Sequence, residues 1–228
     1  VLLRKRSFKL ASAVEITDEV LKVAHENEPS KRKVYVPGDL AAFTCVGNSG
    51  HKYVVASFHG DTNGLASIPI VKALSEVAAR GYGQHTLLLG LDANTYKVHS
   101  QHYQGVAKFQ EFLVSQHLSS CWGANPDPLR PTTCNARTYL QPQLNKAIRR
   151  DERLIKADKN LKDWIVFRGT SRLSVTCIDT TRDNTGCKEY LENEIFPTTV
   201  FPSDHALVAS VLQMQSTSHD DIRAKHLS

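Results

Sequence analysis

Short apolar runs separated by turn-forming residues dominate the chain, and the period of those runs predicts its elements. Val1 to Lys5 reads as a strand, and residues 15–33 as a polar surface excursion. Val34-Tyr35-Val36, Ala41 to Val46 and Tyr53 to Phe58 are β-branched or aromatic runs, separated by Pro37-Gly38 and Gly47-Asn48-Ser49-Gly50. The last two read as antiparallel strands joined by a short loop. The period then changes: Ile68, Val71, Leu74 and Val77 recur at helical spacing, and Gly81 stops the helix.

Thr86-Leu87-Leu88-Leu89-Gly90-Leu91 is a continuous apolar run, the pattern of a strand buried on both faces. Val106, Phe109, Phe112 and Leu113 mark a second helix. An irregular stretch over 119–132 holds three prolines and Gly123. A third helix is predicted over 139–150, strands over Trp164 to Phe167 and Leu173 to Ile178, and a final strand over Ala206 to Leu212. The pattern predicts one α/β (α+β) domain over residues 1–213, two sheets packed together with helices outside, followed by a polar tail over 214–228.

Composition narrows the function classes. At 228 residues and 41% hydrophobic content the chain has the length and apolar fraction for a real core, and no run nears the roughly 20 apolar residues of a membrane span. The net charge of +5 suits a polyanionic partner such as nucleic acid, and equally a solvated surface. Basic residues cluster at Arg4-Lys5-Arg6, Lys31-Arg32-Lys33 and Lys146 to Arg153, the last mixed with Asp151 and Glu152 as on a salt-bridged helix face. The five cysteines form no C-x-x-C, which disfavours a zinc knuckle. Bridges Cys177–Cys187 and Cys121–Cys134 are conceivable, against the alternative of free thiols.

Chemistry-bearing residues recur where the predicted strands begin or end. Val54 to Phe58 delivers His59, and Leu87 to Leu91 delivers Asp92-Ala93-Asn94. Asp163 opens Asp163-Trp164-Ile165-Val166-Phe167, and Ser203-Asp204-His205 opens the last strand. On an extended backbone Asp92 and Asn94 project to the same side and address one ligand; a turn or helix cap is the competing reading. Acids and imidazoles of this kind serve metal-assisted phosphate chemistry. Asn135, Arg137 and Tyr139 lie where a phosphate or base contact, or a capped helix start, fits equally. Trp122 and Tyr103 are candidates for stacking on a base, or for core.

The set and its order resemble the endonuclease/exonuclease/phosphatase superfamily, the deoxyribonuclease I-like proteins. The matching stretches are Ser57-Phe58-His59, Leu89-Gly90-Leu91-Asp92-Ala93-Asn94, Lys162-Asp163-Trp164-Ile165-Val166 and Pro202-Ser203-Asp204-His205-Ala206. The resemblance implies a two-sheet sandwich and a metal-dependent phosphodiester hydrolase, nuclease-like, with Mg²⁺ or Mn²⁺ as cofactor and nucleic acid or another phosphodiester as substrate. It implies that Asp92 orients or deprotonates the attacking water, Asn94 binds the scissile phosphate, and Asp204 contacts the metal or its water. His205 would stabilise the phosphorane with Asp163 holding its ring, and His59 would be a second phosphate-facing imidazole. The family's strand-end Asn and metal-binding Glu precede all of these motifs, and Glu15, Glu19, Glu26 and Glu28 stand in other contexts. The resemblance therefore implies an N-terminally incomplete domain, or a silent member used as an interaction module, with a missing segment or a partner chain as the alternatives for covering the N-terminal sheet edge.

Overall fold

The computed structural model describes residues 1–29, 38–134, 159–192 and 194–217. Its frame is a six-stranded sheet built from β1 (Phe8–Glu15), β2 (Leu40–Gly47), β3 (Lys52–His59), β4 (Thr86–Asp92), β5 (Ser119–Ser120) and β8 (Asp163–Arg168), in the order β1-β2-β3-β4-β8-β5. Only β3 and β4 run parallel, because α2 (Ser67–Gly81) carries the chain back between them; the other neighbours are antiparallel.

Alternation along these strands sends Leu40, Ala42, Val54, Ala56, Phe58, Leu87, Leu89, Leu91, Trp164 and Val166 into one core. There they meet apolar residues of α1 (Thr17–Asn27), α2 and α3 (Val106–Ser115). Trp164 anchors this layer: its ring meets Phe109 edge-on at 5.0 Å and its indole N–H donates to Thr95 Oγ1 at 3.0 Å.

The second layer is the antiparallel pair of β9 (Leu173–Asp183) and β10 (Leu207–Ser216), which meets the large sheet along β8. A third, two-residue pairing joins β6 (Thr133–Cys134) to β7 (Lys159–Asn160). Beside it a small cluster of Cys134, Phe196, Phe201 and Ala206 ties down the loop that carries His205.

Several local expectations are corrected. Val1 to Lys5 is not a strand: the three cations at 4–6 sit in a turn, closed by Phe8 N–H donating to Arg4 O, and β1 begins at Phe8. The polar stretch after residue 15 contains α1, whose buried stripe of Val20 and Ala24 is diluted by acids and lysines. The strand at Leu173 runs on to Asp183, and the last strand continues without a break through Gln213 and Met214 to Ser216. All five cysteines are free. The loop for which a Cys177–Cys187 bridge was conceivable is closed by Asp183, whose carboxylate accepts from the backbone N–H groups of Thr185, Gly186 and Lys188. The Val34 run, the helix over 139–150, the basic clusters at 31–33 and 146–153, and Tyr139 lie outside the described residues. Among the described residues no helix is long and apolar enough to cross a membrane.

Candidate functional site

Register brings the site together. His59 pairs with Asp92 across β3 and β4, and Asp92 pairs with Asp163 across β4 and β8, so three adjacent strands present their polar ends in one row. The loop entering β10 folds His205 over that row. It is fixed by Ala206 N–H donating to Thr132 O at 2.8 Å and by Ser203 Oγ, which accepts from His205 N–H at 3.1 Å.

His205 Nδ1 lies 2.9 and 3.0 Å from the two oxygens of Asp163, and its Nε2 lies 3.7 Å from Asp92 Oδ2. His59 Nε2 approaches the same Asp92 oxygen at 3.8 Å from the solvent side. Of the two imidazoles, only that of His59 is mostly exposed, at 75% against 27% for His205. Asp163 is held from below by Thr132, whose hydroxyl donates to Oδ2 at 2.5 Å and accepts from the backbone N–H of Lys162 and of Asp163. Its carbonyl accepts from the indole of Trp122 at 2.9 Å. Asp163 accepts from the ring's Nδ1 and so orients it with Nε2 facing Asp92.

The electrostatics follow from this crowding. Burial works against charge on the His205 ring, but the hydrogen bond and charge of Asp163, together with Asp92 and Asp204, push its pKa up to about 9. The ring is therefore an imidazolium at neutral pH. Asp92 is pushed above the usual carboxylate range by burial first and by the like charge of Asp163 second; His205, the Asn94 N–H and Lys162 pull the other way.

Asn94 is placed differently from the extended pattern expected of Asp92-Ala93-Asn94. The strand ends at Asp92, and Asn94 takes φ +47°, a left-handed conformation that Asn tolerates. Its backbone N–H donates to Asp92 Oδ1 at 2.9 Å, an Asx turn. Its carboxamide, buried, donates to Gly60 O and to Asp92 Oδ2, each at 3.1 Å. Lys162 Nζ donates to its oxygen at 3.0 Å. Of the two readings weighed for this motif, the turn is the one seen in the geometry.

One oxygen or nitrogen from each of Asp92, Asp163 and His205 lies within 4.8 Å of the others, the one such cluster among the described residues able to hold a cation. Asp204 stands outside it and adds negative charge beside His205. Asn135 and Arg137 lie outside the described residues. Trp122 is half-buried under Arg130, and Tyr103, more exposed, packs on Tyr96 at 4.7 Å. Thr132 and Lys162 are the parts that sequence reasoning missed. Their partners lie 31 and 68 residues away, and the one available signal was a lysine entering an apolar strand.

No family model matches the sequence, and no curated protein does. Solved structures do. TDP2 of D. rerio, crystallised with a single-strand DNA product, superposes at TM-score 0.52 with 12% identity, over 92% of this chain and 70% of that one. A functionally unknown conserved protein from Enterococcus faecalis V583 superposes at 0.50 with 14% identity, over 94% and 70%. An endonuclease/exonuclease/phosphatase from Beutenbergia cavernae DSM 12333 gives 0.47 with 15% identity, over 91% and 45%. At this identity the likeness to the first two shows the fold alone, mixed α/β and deoxyribonuclease I-like.

Proposed function

We propose that the chain is a divalent-metal-dependent phosphodiester hydrolase, nuclease-like, that directs water in line onto phosphorus. One observation carries the reading: the carboxylates of Asp92 and Asp163 and the His205 ring converge within 4.8 Å at the strand end where His59 also emerges. The net charge of +5 favours nucleic acid over a neutral substrate.

Asp92 is the group that orients and deprotonates water. Its raised pKa moves it toward the range where a carboxylate is an effective base, while its bonds from Asn94 keep it aimed. His205 is charged and clamped by Asp163, so its Nε2–H is a preorganised donor for the negative charge that develops on a phosphoryl oxygen. His59 presents a second imidazole from the open side. Asn94 has both amide hydrogens committed to Gly60 and Asp92, so in this arrangement its work is to hold Asp92.

Two carboxylates side by side in register fit a hard divalent cation, Mg²⁺ or Mn²⁺, because their mutual repulsion is relieved by one. Asp92 and Asp163 would hold it through its hydration water, with Asp204 at the margin, which leaves Asp92 able to take a proton and Asp163 on the His205 ring. When bound, the ion supplies positive charge against the phosphoryl oxygens.

A second reading rests on a separate observation. The outer face of β9 and β10 exposes Ile178 (60%), Leu207 (61%) and Val211 (52%), which suits an assembly module that docks a partner chain. The two readings part on a simple assay. Incubation with single-strand DNA, RNA, a phosphoinositide and sphingomyelin in Mg²⁺ or Mn²⁺ is expected to yield product from a nucleic acid, and chelation to abolish it. No product from any of the four removes the hydrolase reading and leaves the module.

A further inference from the structure

Lys162 has a backbone fixed on both sides. Its N–H donates to Thr132 Oγ1 at 3.0 Å and its carbonyl accepts from Ala93 N–H at 2.8 Å. The side chain is buried at 7% exposure, and its ammonium lies 5.2 Å from the centre of the Tyr96 ring. From there Nζ donates to Asn94 Oδ1 at 3.0 Å.

This contact decides which way the Asn94 carboxamide faces. An ammonium has donors and no acceptor, so only the amide oxygen can face it. The amide nitrogen is then turned toward two pure acceptors, Gly60 O and the Asp92 carboxylate. A flipped amide would bring its N–H₂ against the ammonium and its carbonyl against the carboxylate. Both encounters are repulsive, and both are buried where water cannot soften them. The positive charge on the oxygen side also polarises the amide, which strengthens donation from its nitrogen.

Resting on the hydrolase reading above, we propose that Lys162 is a positioning residue: it locks the Asn94 amide in the one orientation that holds Asp92 for water activation. Lys162 reaches Asp92 in two ways, by its charge across space and by the hydrogen bond that fixes the Asn94 amide, and the proposal concerns the second.

The test is a double-mutant cycle with a second, activity-independent readout. Lys162→Met keeps the aliphatic stem and removes the donor and charge; Lys162→Gln keeps a neutral donor. With the nucleic-acid substrate cleaved by the wild type, Lys162→Met is expected to lower kcat by about 10- to 100-fold, the range for an outer-shell partner, with KM little changed. Lys162→Gln recovers part of the loss. In an Asn94→Ala background Lys162→Met is expected to add little, because the path is already cut. Independently of turnover, the two Asn94 side-chain amide protons are expected to be resolved and slow to exchange in the wild type, and to lose that protection in Lys162→Met. Retained amide protection in a folded Lys162→Met, or full additivity with Asn94→Ala, overturns the proposal. Loss of protection in Lys162→Met, with a wild type that cleaves no phosphodiester, removes the hydrolase reading and keeps the clamp.

Discussion

Replacing Thr132 by Val tests whether the site is held from beneath as described. Thr132 is fully buried, and its hydroxyl is a three-way hub: it donates to Asp163 Oδ2 and accepts from the N–H groups of Lys162 and Asp163. Val has nearly the same shape, so packing is preserved and the hydroxyl alone is removed. The bond to a carboxylate is of the charged class, about 1.5–3 kcal/mol, and each N–H left facing a methyl costs about 1–3 kcal/mol. These terms share one atom and do not add fully. A net loss of about 3–5 kcal/mol is expected, a large part of the stability of an ordinary domain. Urea unfolding reads it as a lower midpoint at unchanged slope. Thr133→Val is the control, because among the described residues that buried hydroxyl makes one bond, to Asn160 O at 3.3 Å, and its loss is expected to cost about 1 kcal/mol. A Thr132→Val loss no greater than that of Thr133→Val would refute the hub.

Two further outcomes are expected. His205 has its pKa raised from 6.5 to about 9, so the charged pair with Asp163 contributes stability that is fully present below about pH 6.5 and is lost as pH rises through about 9. An NMR titration of the ring is expected to give a midpoint near 9 in the wild type and one well below it in Asp163→Asn, whose thermal stability then varies less across that window. Gly64 has φ +73°, and a Cβ there would lie 2.7 Å from the carbonyl oxygens of both Ala93 and Asn94. Gly64→Ala is therefore expected to destabilise by at least about 1–3 kcal/mol, whereas Gly90→Ala, with nothing within 4 Å, stays within about 1 kcal/mol of the wild type in the same melt.

The strand exits were legible because each apolar run stops abruptly on a residue that cannot be buried unpaired. His59, Asp92, Asp163 and His205 are all of that kind; register carries the first three into one row, and the loop before β10 brings His205 over it. Less legible was anything set by distant segments. Nothing near Thr132 or Lys162 announces partners dozens of residues away. Asn94 was misjudged for another reason: same-side projection holds on an extended backbone, and the chain leaves the extended region at that residue. Helix α1 was hidden because its buried stripe is narrow and its first turn carries Asp18 and Glu19, which stabilise a helix start while reading as surface.

The central claim is that the strand-end row acts on a phosphodiester, and the cleavage rate of His205→Ala against the wild type tests it most directly. His205→Ala removes the preorganised donor and leaves Asp92, Asn94 and Thr132 in place. Measured on a single-strand oligonucleotide in Mg²⁺, the rate is expected to fall by about 100-fold or more, with the variant still folded. Equal rates in the wild type and in folded His205→Ala would contradict the claim.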